Sequence, residues 1–104
     1  MKRLPVHVVP SAEDEILRQV LYIAQDSVDS ALAWEDRLRA AIRNLGVFPG
    51  YAIDDDVSKE LGYPVHKLVF EGTYLVHYHV NDAAGAMRVV RFRHGAPLPR
   101  TRES

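Results

Sequence analysis

The stretch VHKLVFEGTYLVHYHVNDAAGAMRVVRFR, residues 65–93, decides the fold. Val65 to Phe70 and Thr73 to Val80 are runs rich in β-branched and aromatic residues, and Glu71-Gly72 between them suits a tight hairpin turn. After Asn81 to Gly85, Ala86 to Arg93 reads as a third strand. Pairing Phe70 with Thr73 sets Leu68 against Leu75 and His66 against His77, because cross-strand partners share a face. One face then carries Val65, Lys67, Val69, Tyr74, Val76, Tyr78 and Val80, and is the better core face. The other carries His66, Leu68, Phe70, Thr73, Leu75, His77 and His79. Pairing Val80 with Ala86 adds Arg88, Val90 and Phe92 to the core side, with the Arg88 charge reaching solvent at the sheet margin. Lys67 snorkels in the same way near a strand end. Met87, Val89, Arg91 and Arg93 join the histidines.

Upstream, Leu4 to Val9 reads as an opening strand ended by Pro10, and Ser11 as the N-cap of a helix with Asp14 three residues on. Ala12, Ile16, Val20, Ile23 and Ala24, widened by Leu17 and Leu21, form one amphipathic stripe ending near Asp26. Ser27 or Asp29 can cap a second helix, whose stripe Ala31, Trp34, Leu38, Ala41, Ile42 and Leu45 is the cleanest period in the chain. Gly46, Pro49 and Gly50 stop it. Phe48 to Pro64 shows no sustained period and reads as a long loop. Its Asp54, Asp55 and Asp56 lack the alternating ligands and glycine of a calcium loop, so they read as a solvated turn. The order β-α-α-β-β-β describes an α+β fold, a helical hairpin packed on one face of an antiparallel sheet. The opposite face is left for function.

Composition agrees. With 104 residues, 47% apolar and 26% charged, the chain reads as one domain over residues 1–104 rather than a disordered or coiled-coil segment. Zero cysteines exclude disulfides, thiolate zinc sites and cysteine nucleophiles. The N-terminus has no signal-like apolar run, and nothing approaches the ~18 unbroken apolar residues of a membrane span, so a cytoplasmic protein without membrane contact is expected. The net charge of −1 hides an asymmetry, since Arg88 to Arg102 holds five arginines and no acid, a local field suited to an acidic protein or nucleic acid.

Candidate functional residues lie on the histidine face: His66, His77, His79, Arg91, Arg93 and, at the strand end, His94. A His-x-His pair with a cross-strand histidine is a zinc-capable geometry, but no carboxylate in the same strands supports it, so no metal or other cofactor is expected. Neutral histidines beside arginines suit acid/base chemistry on RNA. The guanidinium groups suit either phosphate or the carboxylates of a partner.

The opening strand followed by SAEDEILRQVLYIA (residues 11–24), ALAWEDRLRAAIRNLGVFPG (31–50), TYLVHYHV (73–80) and RVVRFRHG (88–95) occur in an order and spacing that resembles the RelE/ParE superfamily of type II toxins, also known as plasmid stabilisation proteins. The resemblance spans nearly the whole chain. It implies a small cytosolic toxin neutralised by a cognate antitoxin, whose extended or helical segment wraps it in a hetero-oligomer. RelE-like members cut messenger RNA on the ribosome with basic residues of the sheet, whereas ParE-like members inhibit DNA gyrase. The hairpin positions that the ribonucleases often fill with basic residues correspond here to His66, Leu68 and Leu75, and two of those three carry no charge. Pro97 and Pro99 discourage a closing helix, and no tyrosine follows Tyr78. His94-Gly95 looks more ParE-like, although Ala96 and Pro97 replace the basic residues that commonly follow it. The resemblance thus implies gyrase inhibition by protein binding rather than enzymic action. The alternatives are a metal-independent, ribosome-dependent endoribonuclease and a non-toxic relative that only binds its partner.

Overall fold

A short strand, β1 (Val6–Val8), runs directly into helix α1 (Pro10–Ala24) in a computed structural model that describes residues 3–95. Pro10 starts the helix instead of ending the strand, with extended Val9 at the N-cap position and no side-chain cap. The expected Ser11 cap is therefore not made. Proline is pre-set for a first helical turn, where its missing N–H has no intrahelical acceptor to lose. Helix α2 (Val28–Asn44) starts as expected at Ser27, whose Oγ accepts from Ser30 N at 3.1 Å. Its stripe Ala31, Trp34, Leu38 and Ile42 is buried. Trp34, only 4% exposed, meets the rings of Phe70, Tyr74 and Phe92 edge-on, at centroid distances of 6.2, 5.1 and 5.9 Å.

The expected long loop contains a further helix, α3 (Asp55–Leu61). The aspartate run explains it. Asp54 Oδ1 accepts from Val57 N at 3.1 Å, Asp55 and Asp56 lie in the first turn where the dipole favours anions, and Lys59 lies in the last. Gly62 then ends the helix at φ 84°, donating to the Ser58 carbonyl. A single buried apolar side chain, Val57, leaves no periodic stripe to be read from sequence.

The remaining strands are β2 (His66–Phe70), β3 (Tyr74–Asn81) and β4 (Ala86–His94), giving the sheet order β1-β4-β3-β2. The β2-β3-β4 part is antiparallel, and β1 extends it in parallel on β4. The turn forms at Glu71-Gly72, both with positive φ, and Thr73 N donates to Phe70 O. Thr73 stays outside the ladder, however, so Phe70 pairs with Tyr74, Leu68 with Val76 and His66 with Tyr78. This one-residue difference from the expected register inverts β2 relative to β3. It brings Phe70 and Leu68 to the helices with Tyr74, Val76, Tyr78 and Val80, and moves Lys67 and Val69 to the far face.

A one-residue shift and a bulge together correct the expected β4 pattern. Tyr78 pairs with Val89 but His77 with Arg91, so Val90 is the extra residue. Asn81, not Val80 as expected, pairs with Ala86, which turns Met87 and Val89 into the core and takes Arg88, paired with His79, off the core side where it was expected, while the bulge keeps Phe92 buried as well. Beyond Val89 the outer edge of β4 extends past the end of β1, and Glu15 of α1 takes the place of a neighbour. Its carboxylate accepts from Phe92 N at 2.9 Å and Arg93 Nε at 3.1 Å. The tail features Pro97, Pro99, Arg100 and Arg102 lie outside the described residues.

Candidate functional site

On the sheet face away from α1 and α2, the strands set Lys67, His77, His79, Arg91 and Arg93 in adjacent positions. His77 and Arg91 are direct cross-strand partners, as are His77 and Lys67. Four of the six candidate residues therefore share this face. The other two do not. His66 lies on the opposite side, stacked on Tyr78 at 5.1 Å with Nδ1–H donating to the Tyr51 carbonyl at 2.6 Å. The register shift put it there. His94 likewise pairs with Tyr74 and meets its ring edge-on at 5.1 Å, on the core side of the sheet margin.

The expected three-histidine cluster is thus split between faces, and among the described residues no group of three or more metal-ligating side chains comes together. His79 is occupied locally, donating from Nδ1 to the Pro64 carbonyl at 2.8 Å and packing against Tyr63.

His77 is the enclosed centre of the face, 3% exposed, with Nε2 3.0 Å from Asp54 Oδ2 at the start of α3. Its Nδ1 is buried without a partner among the described residues. Burial is the largest influence on the imidazole and drives its pKa below the ordinary value. Arg91 and Lys67 push in the same direction and Asp54 opposes them. The ring is therefore neutral near pH 7, with Nε2–H donating to the carboxylate. Partial burial pulls the Asp54 carboxyl upward, but the Val57 N–H, the His77 contact and nearby positive charge outweigh it, leaving its pKa below that of an ordinary aspartate.

Both arginines are engaged internally. Arg91, with its side chain 15% exposed, holds Glu60 of α3 through Nη2 at 2.8 Å and Nη1 at 3.4 Å. That guanidinium lowers the Glu60 pKa, chiefly through the hydrogen bond. Arg93 contacts Glu15 but stays 54% exposed, and Arg88 is also open to solvent. Asp54, Glu60 and Glu15 thus shape the face, although none was among the candidates. Only the helix-capping role of Asp54 leaves a local signal in the sequence, because its partner His77 lies 23 residues away.

Chemically, the face offers exposed cationic binding groups at Arg88 and Arg93. It does not present an open acid/base set. His77, beside Arg91, is enclosed, His79, beside Arg88, is held through Nδ1 to the Pro64 carbonyl, and Arg91 is already bonded to a carboxylate.

A helical hairpin on one side of a small sheet, with an arginine-bearing last strand facing the other way, is the architecture of the RelE/ParE superfamily of type II toxins. Within it, the family described as ParE toxin of the type II toxin-antitoxin system, parDE, matches residues 6–99, and the chain belongs to that family. Membership implies an antitoxin partner. No curated protein matches the chain. Among the described residues no helix is long and apolar enough to cross a membrane.

Proposed function

We propose that this chain is a cytoplasmic toxin that inhibits DNA gyrase by binding it, and that a cognate antitoxin neutralises it by covering its apolar surface. The observation that carries this reading is the occupancy of the far sheet face. Cleaving RNA without a metal requires positioned proton donors and acceptors and free cations around the phosphorus. Here His77 is enclosed and bonded to Asp54, Arg91 is bonded to Glu60, and the uncharged Leu68 packs against the core. Binding needs only an exposed surface, which Arg88 and Arg93 supply with charge suited to carboxylates.

For the antitoxin, the helices offer a separate apolar surface. Leu17 and Leu21 of α1, one turn apart, and Val28 and Leu32 of α2, also one turn apart, are all exposed. Side chains at that spacing fit the apolar stripe of a partner helix.

Primer extension on ribosome-bound messenger RNA, with antitoxin-free protein, tests the choice of target. We expect no cleavage. Codon-linked cuts abolished by Arg91→Ala or His77→Ala would replace this reading with the ribonuclease one.

A further inference from the structure

We propose that α3 is an acid-released latch: it is fastened over the far sheet face through Asp54 and Glu60, and it peels away when His77 takes up a proton.

The fastening is almost wholly polar. Two side-chain clasps reach the face itself, Asp54 to His77 and Glu60 to Arg91. Along the edge of β2 the strap is held by Asp54 N to Val65 O at 2.8 Å, Lys67 N to Ala52 O at 2.9 Å, and Ser58 Oγ to the Val65 backbone. Only Val57 is buried from α3, and both it and Val65 stand outside the main core cluster. Segments with few buried apolar contacts open at a lower free energy than the domain unfolds, so α3 can release while the hairpin and sheet persist. Gly62, at φ 84° with no atom close to where a Cβ would stand, gives the strap a glycine pivot at its C-terminal end.

His77 is placed to drive that release. The charged groups facing it are Asp54 and Glu60 from the α3 segment, Lys67 from β2 and Arg91 from β4. Its Nε2–H is already given to Asp54, so a second proton would go to Nδ1, which is buried with no acceptor among the described residues. The closed state would then hold an unsatisfied N–H and a new, desolvated positive charge between two existing cations, which the Asp54 carboxylate offsets only in part. Opening removes both costs by admitting water. The imidazole is therefore harder to protonate with α3 closed than with it open, and by linkage acid favours the open state. The effect is absent above the ordinary imidazole value of about 6.5 and grows as pH falls below it. Opening bares His77 and frees Arg91 from Glu60, so the same face gains cationic surface in acid. None of this depends on which cellular target the toxin has.

Hydrogen exchange read by mass spectrometry, corrected for the intrinsic pH dependence of exchange, tests the latch on the full chain at about pH 7.5 and about pH 5. Amides of residues 55–61 should lose protection severalfold at the lower pH while those of α2 keep theirs, and His77→Gln should flatten the response. An NMR titration of the wild-type chain gives a second readout that needs no variant: the His77 ring and the α3 amides should titrate together. Unchanged α3 protection, an equal loss in α2, the same response in His77→Gln, or α3 amides that ignore the His77 titration would each overturn the proposal.

Discussion

Replacing Trp34 examines the centre of the fold most severely. The indole is nearly fully enclosed and is ringed edge-on by Phe70, Tyr74 and Phe92, so it joins α2 to three positions of the sheet. Truncation to Ala removes those contacts and leaves a cavity that rings anchored on three strands of the sheet can only partly close, which sets the cost at about 3 to 5 kcal/mol. Against a typical domain stability of about 5 to 15 kcal/mol, that is a large fraction. Trp34→Phe separates packing from polarity. Nε1 is buried with no hydrogen-bond partner among the described residues, a burden of about 1 to 3 kcal/mol that phenylalanine does not carry. The smaller ring should therefore cost only about 1 to 2 kcal/mol. Urea titrations followed by far-ultraviolet circular dichroism measure both variants, since removing the chain's one tryptophan also removes its main fluorescence signal. Both midpoints should fall with unchanged slope. A loss below about 1 kcal/mol for Trp34→Ala, or a greater loss for Phe than for Ala, would refute the reasoning.

Gly46→Ala should destabilise by about 1 to 3 kcal/mol in thermal melts, because a Cβ there would run into the backbone carbonyl of Leu4, which cannot swing aside as a side chain can. Ser27→Ala should cost about 1 kcal/mol by leaving the Ser30 N–H without its cap, measured by denaturant midpoint. Stability should also depend on pH through His77. Its folded pKa lies below the unfolded one, so its contribution is whole above about pH 6.5 and is lost as pH falls from there through the folded value, with Asp54 adding a further loss at lower pH. Unfolding curves across that range should show a slope that His77→Gln reduces.

Helices α1 and α2 were legible because each turns an apolar stripe inward at helical spacing, although Leu17 and Leu21, read as widening the α1 stripe, are exposed. Trp34, Leu38 and Ile42 fall where their period places them. Of the two caps the sequence offered for α2, Ser27 and Asp29, the structure uses Ser27. The sheet was legible as three strands in order, but its faces were not, because single-residue offsets control them, among them the pairing of Ala86 with Asn81 rather than Val80. Thr73 could have joined the ladder and instead stays in the turn, and Val90 adds a bulge that no alternation rule marks. Either choice moves side chains from one face to the other, and this is why His66 was grouped with His77 although the sheet separates them. Helix α3 was missed because a seven-residue helix with one buried side chain has no period, and its start was disguised as an acidic run. The carboxylates that occupy the arginines were invisible for another reason: Glu15–Arg93 and Glu60–Arg91 are pairings across 78 and 31 residues, created only by the packing of helices on the sheet.

The claim that the toxin acts by binding gyrase is tested most directly by a supercoiling assay with purified gyrase and antitoxin-free protein. Inhibition should rise with toxin concentration and be relieved by the antitoxin. Changing the exposed Arg93 to Ala should weaken it more than changing Arg91, whose guanidinium is largely enclosed against Glu60. Undiminished supercoiling at toxin concentrations well above that of gyrase, with a chain shown to be folded, would contradict the account.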